Sequence, residues 1–198
     1  MNHIFLEGHQ RNKTIILLHG TGGNEQSLLP ITEYLDTGYN ILSIRGTVNE
    51  NGALRYFKRK SEGIYDVENL EENARKLVEF IKEASKEYEF SLPEVVFVGF
   101  SNGTNMATHI LLHPDYQFTK GVLMAPLYPL EIDKNQDLSD MKLFVSMGKQ
   151  DPIVPMVENE KFLLLLKEMN IDVTVTWVKG HEITETVLNK VKEWFETL

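Results

Sequence analysis

Residues 95–103, Val-Val-Phe-Val-Gly-Phe-Ser-Asn-Gly, constrain this chain more than any other stretch. The run opens behind Pro93 with β-branched and aromatic residues, the composition of a buried strand. It closes in Gly-x-Ser-x-Gly, and Met106, Ala107, Ile110 and Leu111 follow at helical spacing. A strand that passes into a helix so abruptly needs a turn whose apex residue is strained. A side chain two residues before or after that apex would meet the neighbouring strand or helix, so Gly99 and Gly103 suit the turn. Ser101 then stands past the end of the sheet, and the Asn102 amide lies at a helix N-terminus, where it can donate to an anion. The plainer reading of Ser101, an N-cap serine, needs only the helix start.

The rest of the chain alternates in the same way. Apolar runs at residues 14–18, 40–45, 121–125, 143–147 and 173–178 read as further strands, with a short edge strand at residues 3–6. Helical periodicity occupies residues 25–35, 66–88, 157–169 and 182–195. Residues 46–65 read as a long polar loop near function, and residues 125–142 as loop or short helix. Strands alternating with helices predict an α/β fold with a mostly parallel sheet and helices on both faces. No repeat, linker or low-complexity tract divides residues 1–198, so one domain is expected. In such sheets, ligands sit at the carboxyl ends of the strands.

A serine hydroxyl becomes a nucleophile when a base takes its proton and an acid orients that base. Beyond a turn of this kind the partners follow in the order Asp or Glu, then His. Asp151 lies just past the run at 143–147, and His181 just past the run at 173–178. All three groups therefore leave one edge of the sheet. Asp133, Asp137 and Asp140 precede their strand and fit the acid role worse; a turn aspartate and a capping histidine are the plainer readings of Asp151 and His181. His3 and His9 precede the sheet, and His109 and His113 point away from the elbow. His19-Gly20-Thr21-Gly22-Gly23 ends the first buried run and supplies a second oxyanion donor, the Thr21 amide first and Gly22 as fallback, with His19 anchoring the loop.

Other chemistries fit less well. A dinucleotide loop would need a third glycine where Glu25 stands, and the helix from His181 lacks the second histidine of a zinc-protease motif. His109 and His113 are four apart, but no third metal ligand accompanies them. The chain has no cysteine, which removes disulfides and thiolate chemistry. A net charge of −9 argues against nucleic acid and against docking on an anionic membrane. With no apparent signal peptide and no run long enough to span a bilayer, a cytoplasmic location is expected.

The sequence resembles the α/β-hydrolase superfamily, and within it the small carboxylesterase/phospholipase family that includes acyl-protein thioesterases. Leu18 to Gly23, Gly99 to Gly103, residues 148–155 and Gly180-His181 carry the resemblance over essentially the whole chain. Arg45-Gly46, Glu50-Asn51-Gly52 and Arg55-Tyr56-Phe57 resemble a bacterial branch associated in part with hydroquinone or quinone resistance. The resemblance implies a single-domain serine esterase acting on small carboxylic esters or thioesters, with no cofactor, often as a homodimer. Asn102 departs from the glutamine usual in acyl-protein thioesterases, so a protein-lipid substrate is not carried over.

Substrate-pocket candidates are Gly22, Arg45, Arg55, Tyr56, Phe57, Leu127 and Tyr128. The favoured alternative for Arg45 and Arg55 is pairing with acids such as Glu50 or Asp66 to pin the loop; for Leu127 and Tyr128, core packing is equally expected. No insertion after Ala125 is large enough for a lid domain, so an open site for small or exposed esters is expected. The competing functional classes are a non-catalytic binding protein on the same fold, and a small peptidase or acyltransferase.

Overall fold

Residues alternate faces along a strand, so a strand apolar at every position must be covered on both sides. The computed structural model, which describes residues 1–61, 63–132 and 136–198, shows how that demand is met. Asp133, weighed above as an acid, lies outside these residues.

The elements in chain order are β1 (His3–Leu6), β2 (Gln10–Leu18), α1 (Leu29–Leu35), β3 (Tyr39–Ile44), β4 (Val48–Glu50), β5 (Ala53–Arg55), β6 (Arg59–Ser61) and β7 (Ile64–Tyr65). There follow α2 (Val67–Glu87), β8 (Val95–Phe100), α3 (Asn102–Leu111), β9 (Lys120–Met124), β10 (Lys142–Gly148), α4 (Met156–Glu168), β11 (Asp172–Val178) and α5 (Glu185–Phe195). Seven strands form one sheet in the order β1-β3-β2-β8-β9-β10-β11. Only the edge strand β1 runs antiparallel, against β3; the other pairings are parallel.

Ile16, Leu18, Leu42, Ile44, Phe97, Leu123, Val145 and Met147 face one core, closed by residues of α2, α3 and α4. Their strand neighbours Ile15, Leu17, Ile41, Val96, Val98, Val122 and Phe144 face the other, closed by α1 and α5. Each such side chain, fully buried, stabilises the fold by about 1.5–3 kcal/mol of transfer free energy. β11, at the sheet edge, is the strand whose burial alternates. Six parallel strands bring their carboxyl ends to one edge, and the site is built there.

Local departures from the periodicity have physical reasons. The helix expected from residue 25 begins at Leu29, with Pro30 in its first turn, because Glu25 is turned toward Arg45. The last helix starts at Glu185, capped by the Thr184 side chain on the Val187 amide. Residues 46–65 are not a plain loop. They fold as two hairpins, β4–β5 and β6–β7. Asn51 and Gly52, both at positive φ (53° and 92°), turn the first, the signature of a two-residue hairpin turn. Between Met124 and Lys142 the described residues hold neither helix nor strand.

Candidate active site

Ser101 sits between β8 and α3 at φ 52°, ψ −116°, a conformation costly for any residue with a Cβ. The surroundings hold it there. Its amide donates to the Met124 carbonyl (2.9 Å) and its carbonyl accepts from the Asn105 amide (3.0 Å). The Thr104 hydroxyl donates to Met124 O at 2.8 Å and fastens the same turn to β9. The steric reading of the two glycines holds: a Cβ at Gly103 would lie 2.0 Å from Leu18 O, and one at Gly99 2.7 Å from the Thr104 backbone.

His181 and Asp151 arrive from the ends of β11 and β10. The imidazole Nδ1 and Asp151 Oδ2 are 2.7 Å apart, and the carboxylate side chain is 1% exposed. Asp151 Oδ1 accepts from the amides of Ile153 (2.7 Å) and Val154 (3.0 Å), so both oxygens are engaged. The two loops are stitched by Lys149 N–H to Val178 O (3.0 Å) and Gln150 N–H to Lys179 O (2.7 Å). With Nδ1–H pointing at Asp151, Nε2 is left as a proton acceptor. Ser101 and His181 line one cavity of about 300 Å³, without a direct hydrogen bond between them.

The loop opposite is fixed by the hairpin segment Leu54-Arg55-Tyr56. Gly22 N–H donates to Leu54 O (2.9 Å), and Gly23 N–H to Gly20 O (3.0 Å). The Arg55 guanidinium donates to Thr21 Oγ1 (2.8 Å). The Tyr56 amide donates to Asn102 Oδ1 (2.8 Å), and its hydroxyl accepts from His19 N–H (3.0 Å) while donating to Ile44 O (2.6 Å). Among the described residues, neither the Thr21 nor the Asn102 amide meets a protein acceptor. His19 Nε2 accepts from Gly46 N–H (3.0 Å), so the ring proton is on Nδ1 and donates to Gly20 O (2.7 Å). Burial lowers the His19 pKa from its ordinary value, against the pull of the Gly20 carbonyl, and keeps the ring neutral.

The pocket candidates divide. Arg55 and Leu127 line the cavity with Ser101. Tyr128 lines a larger neighbouring cavity of about 860 Å³, which shares Gly63, Leu127 and Ile153 with the first. Four expectations need correction. Tyr56 and Phe57 are buried in the core, 4% and 0% exposed, because the hairpin folds them under the oxyanion loop. Arg45 is tied to the Glu25 carboxylate away from this cavity, and Gly22 spends its amide on Leu54, so neither lines it. Arg59, Tyr65, Asn105 and Ile153 also line the cavity; Arg59 and Tyr65 come from the β6–β7 hairpin and Ile153 from the Asp151 loop, and no motif in the sequence marks them. His109 and His113 approach Glu71 (3.2 and 3.5 Å), and His109 Nδ1 lies 2.9 Å from the Tyr128 hydroxyl. Among the described residues, no three His, Asp or Glu side chains are grouped to hold a metal ion, and no helix is long and apolar enough to cross a membrane.

Fold and sheet-edge geometry define an α/β-hydrolase. The profile of the phospholipase/carboxylesterase family matches residues 52–198, and the chain belongs to that family of hydrolases. It is 35% identical to "Putative hydrolase MhqD" of Bacillus subtilis (strain 168), over 99% of this chain and 98% of that one. Among solved structures, the Bacillus cereus carboxylesterase is 40% identical with a TM-score of 0.94, covering 100% of this chain and 94% of the other. The structure of YahD with malic acid is 27% identical with a TM-score of 0.93, covering 99% and 98%.

Proposed function

We propose that this hydrolase cleaves small carboxylic esters, thioesters included, through an acyl-enzyme formed on Ser101. The observation that carries the reading is the 2.7 Å bond between His181 Nδ1 and Asp151 in the cavity wall that also presents Ser101 at a strained positive φ. In the first half-reaction Ser101 Oγ bonds to the carbonyl carbon and its proton passes to His181 Nε2. The oxyanion is met by the amides of Thr21 and Asn102, the latter at the positive end of α3. His181 then gives the proton to the leaving alcohol as the carbonyl–oxygen bond breaks. In the second half-reaction a water, deprotonated by the same nitrogen, releases the acid and restores Ser101. Asp151 holds the tautomer and stabilises the imidazolium throughout.

The family's name and the carboxylesterase from Bacillus cereus support the ester as the bond attacked. The structure of YahD with malic acid agrees with a compact site for a small molecule, such as a cavity of about 300 Å³. Cytoplasmic residence, expected from the lack of a targeting signal, and homodimerisation, which rests on the resemblance, belong to the same reading; light scattering on the purified chain reads the second. The decisive test is Ser101→Ala, which should lower kcat for p-nitrophenyl butyrate by roughly 10⁴-fold or more. The circular dichroism spectrum should not change. A fluorophosphonate probe should label Ser101 alone, and substantial hydrolysis by the variant would refute the assignment.

A further inference from the structure

The chain carries a net charge of −9, yet the charged side chains that line its reaction cavity are arginines. Among the described residues lining it, the charged side chains are Arg55 and Arg59, and the Asp151 carboxylate lies behind His181, its side chain 1% exposed. Both arginines rest against Glu50, whose oxygens lie 3.2 Å from Arg55 Nε and 3.0 Å from Arg59 Nε. Glu50 is shared between the two guanidiniums, so among the described residues neither has an acid to itself. Arg55 is unusual in its placement as well. Its side chain is 7% exposed, and its bonds run from Nε to Phe57 O (3.3 Å) and from Nη1 to Thr21 Oγ1 (2.8 Å). Nη2 donates no hydrogen bond to any described residue, although the group lines the cavity. A guanidinium edge open to the cavity can exchange water for an anionic acceptor that enters it.

We infer that the cavity selects esters bearing a carboxylate near the scissile carbonyl, held by the free edge of Arg55 with Arg59 behind it. This deepens the hydrolase reading and rests on it. A planar guanidinium edge matches a carboxylate better than a point charge would. Because Arg55 also holds Thr21, the anionic group docks one side chain away from the oxyanion loop. A cavity of about 300 Å³ suits a short acyl chain. The larger neighbouring cavity is lined by Glu131, Glu158 and Lys161, with Lys161 paired to Glu158, and among the described residues it offers no arginine edge.

The test compares monoethyl succinate with ethyl levulinate, a neutral compound of nearly equal shape, by pH-stat titration. The expected result is a kcat/KM at least about tenfold higher for the charged ester, the worth of a hydrogen bond to an ionised group. That preference should shrink as salt is raised. Arg59→Gln should reduce the ratio, and Arg59→Lys should retain more of it; Arg59 is partly exposed, so folding is not at stake. Equal rates on the two esters, or a ratio indifferent to Arg59→Gln, would overturn the proposal. Ligand-observed NMR on Ser101→Ala gives the same comparison without turnover. If wild-type protein hydrolysed neither ester nor p-nitrophenyl butyrate, the hydrolase reading would fail. Tighter binding of the monoethyl succinate would then still support the carboxylate subsite, and equal binding would reject it.

Discussion

Ser101 holds φ 52° because both of its backbone polar groups are bonded and the residues beside it leave no alternative path. The strain is therefore maintained by neighbours whose removal should be felt. Gly103→Ala would push a Cβ to 2.0 Å from Leu18 O, a rigid strand carbonyl, so we expect a loss of about 3 kcal/mol or more in urea unfolding. Tyr56 tests a different point. Its hydroxyl serves Ile44 O and His19 N–H at once, and burial raises its pKa so that it stays protonated. Tyr56→Phe should cost about 2–4 kcal/mol by leaving two buried backbone groups unpaired, while KM for a small ester changes little. A large KM change with unaltered stability would put the ring in the substrate pocket, against its 4% exposure.

At the scale of elements, the β4–β5 hairpin does what the reading of residues 46–65 as a loop could not anticipate. Three-residue strands with charged and polar members carry no alternation to detect. The Asn51-Gly52 pair is the one turn signal in this segment that points to the hairpin. The longer elements were legible because β2, β3, β8, β9 and β10 are apolar on both faces and α2 on one. Ser101, Asp151 and His181 were legible because each follows a readable strand directly. The pocket was not, since side-chain direction there depends on partners far off in sequence, such as Tyr56 on His19 and Asn102. Gly52→Ala probes the hairpin away from the cavity. Nothing lies within 4 Å of the added Cβ, so the cost is the positive φ alone, about 1–2 kcal/mol. Because Leu54 O and Arg55 steady the oxyanion loop, kcat should fall more than KM rises. A change in KM alone would detach the hairpin from the oxyanion loop.

At the scale of the whole molecule, the oxyanion loop depends on a histidine that stays neutral inside a negatively charged protein. Burial lowers the pKa of His19, and also that of His109, although Glu71 pulls the latter upward. In the unfolded chain His19 titrates near its ordinary value of 6.5. Between that value and the lower folded one, the unfolded state binds more protons, so stability must rise with pH across the window. His19's contribution is complete above pH 6.5 and is lost as pH falls toward the folded pKa. Protonation would turn Nε2 into a donor facing the Gly46 amide and break the anchor between β2 and β3. Acid also relieves repulsion among the carboxylates of a chain at −9, which acts the other way. The clean observable is therefore a difference between proteins. His19→Gln can still accept from Gly46 N–H but cannot titrate, so its deficit against wild type should narrow on going from pH 7.5 to 5.5. The narrowing is bounded by about 1.4 kcal/mol per pH unit for one group. A deficit constant across that range, measured by urea unfolding, would mean that His19 titrates alike in both states and that its burial does not tie the oxyanion loop to pH.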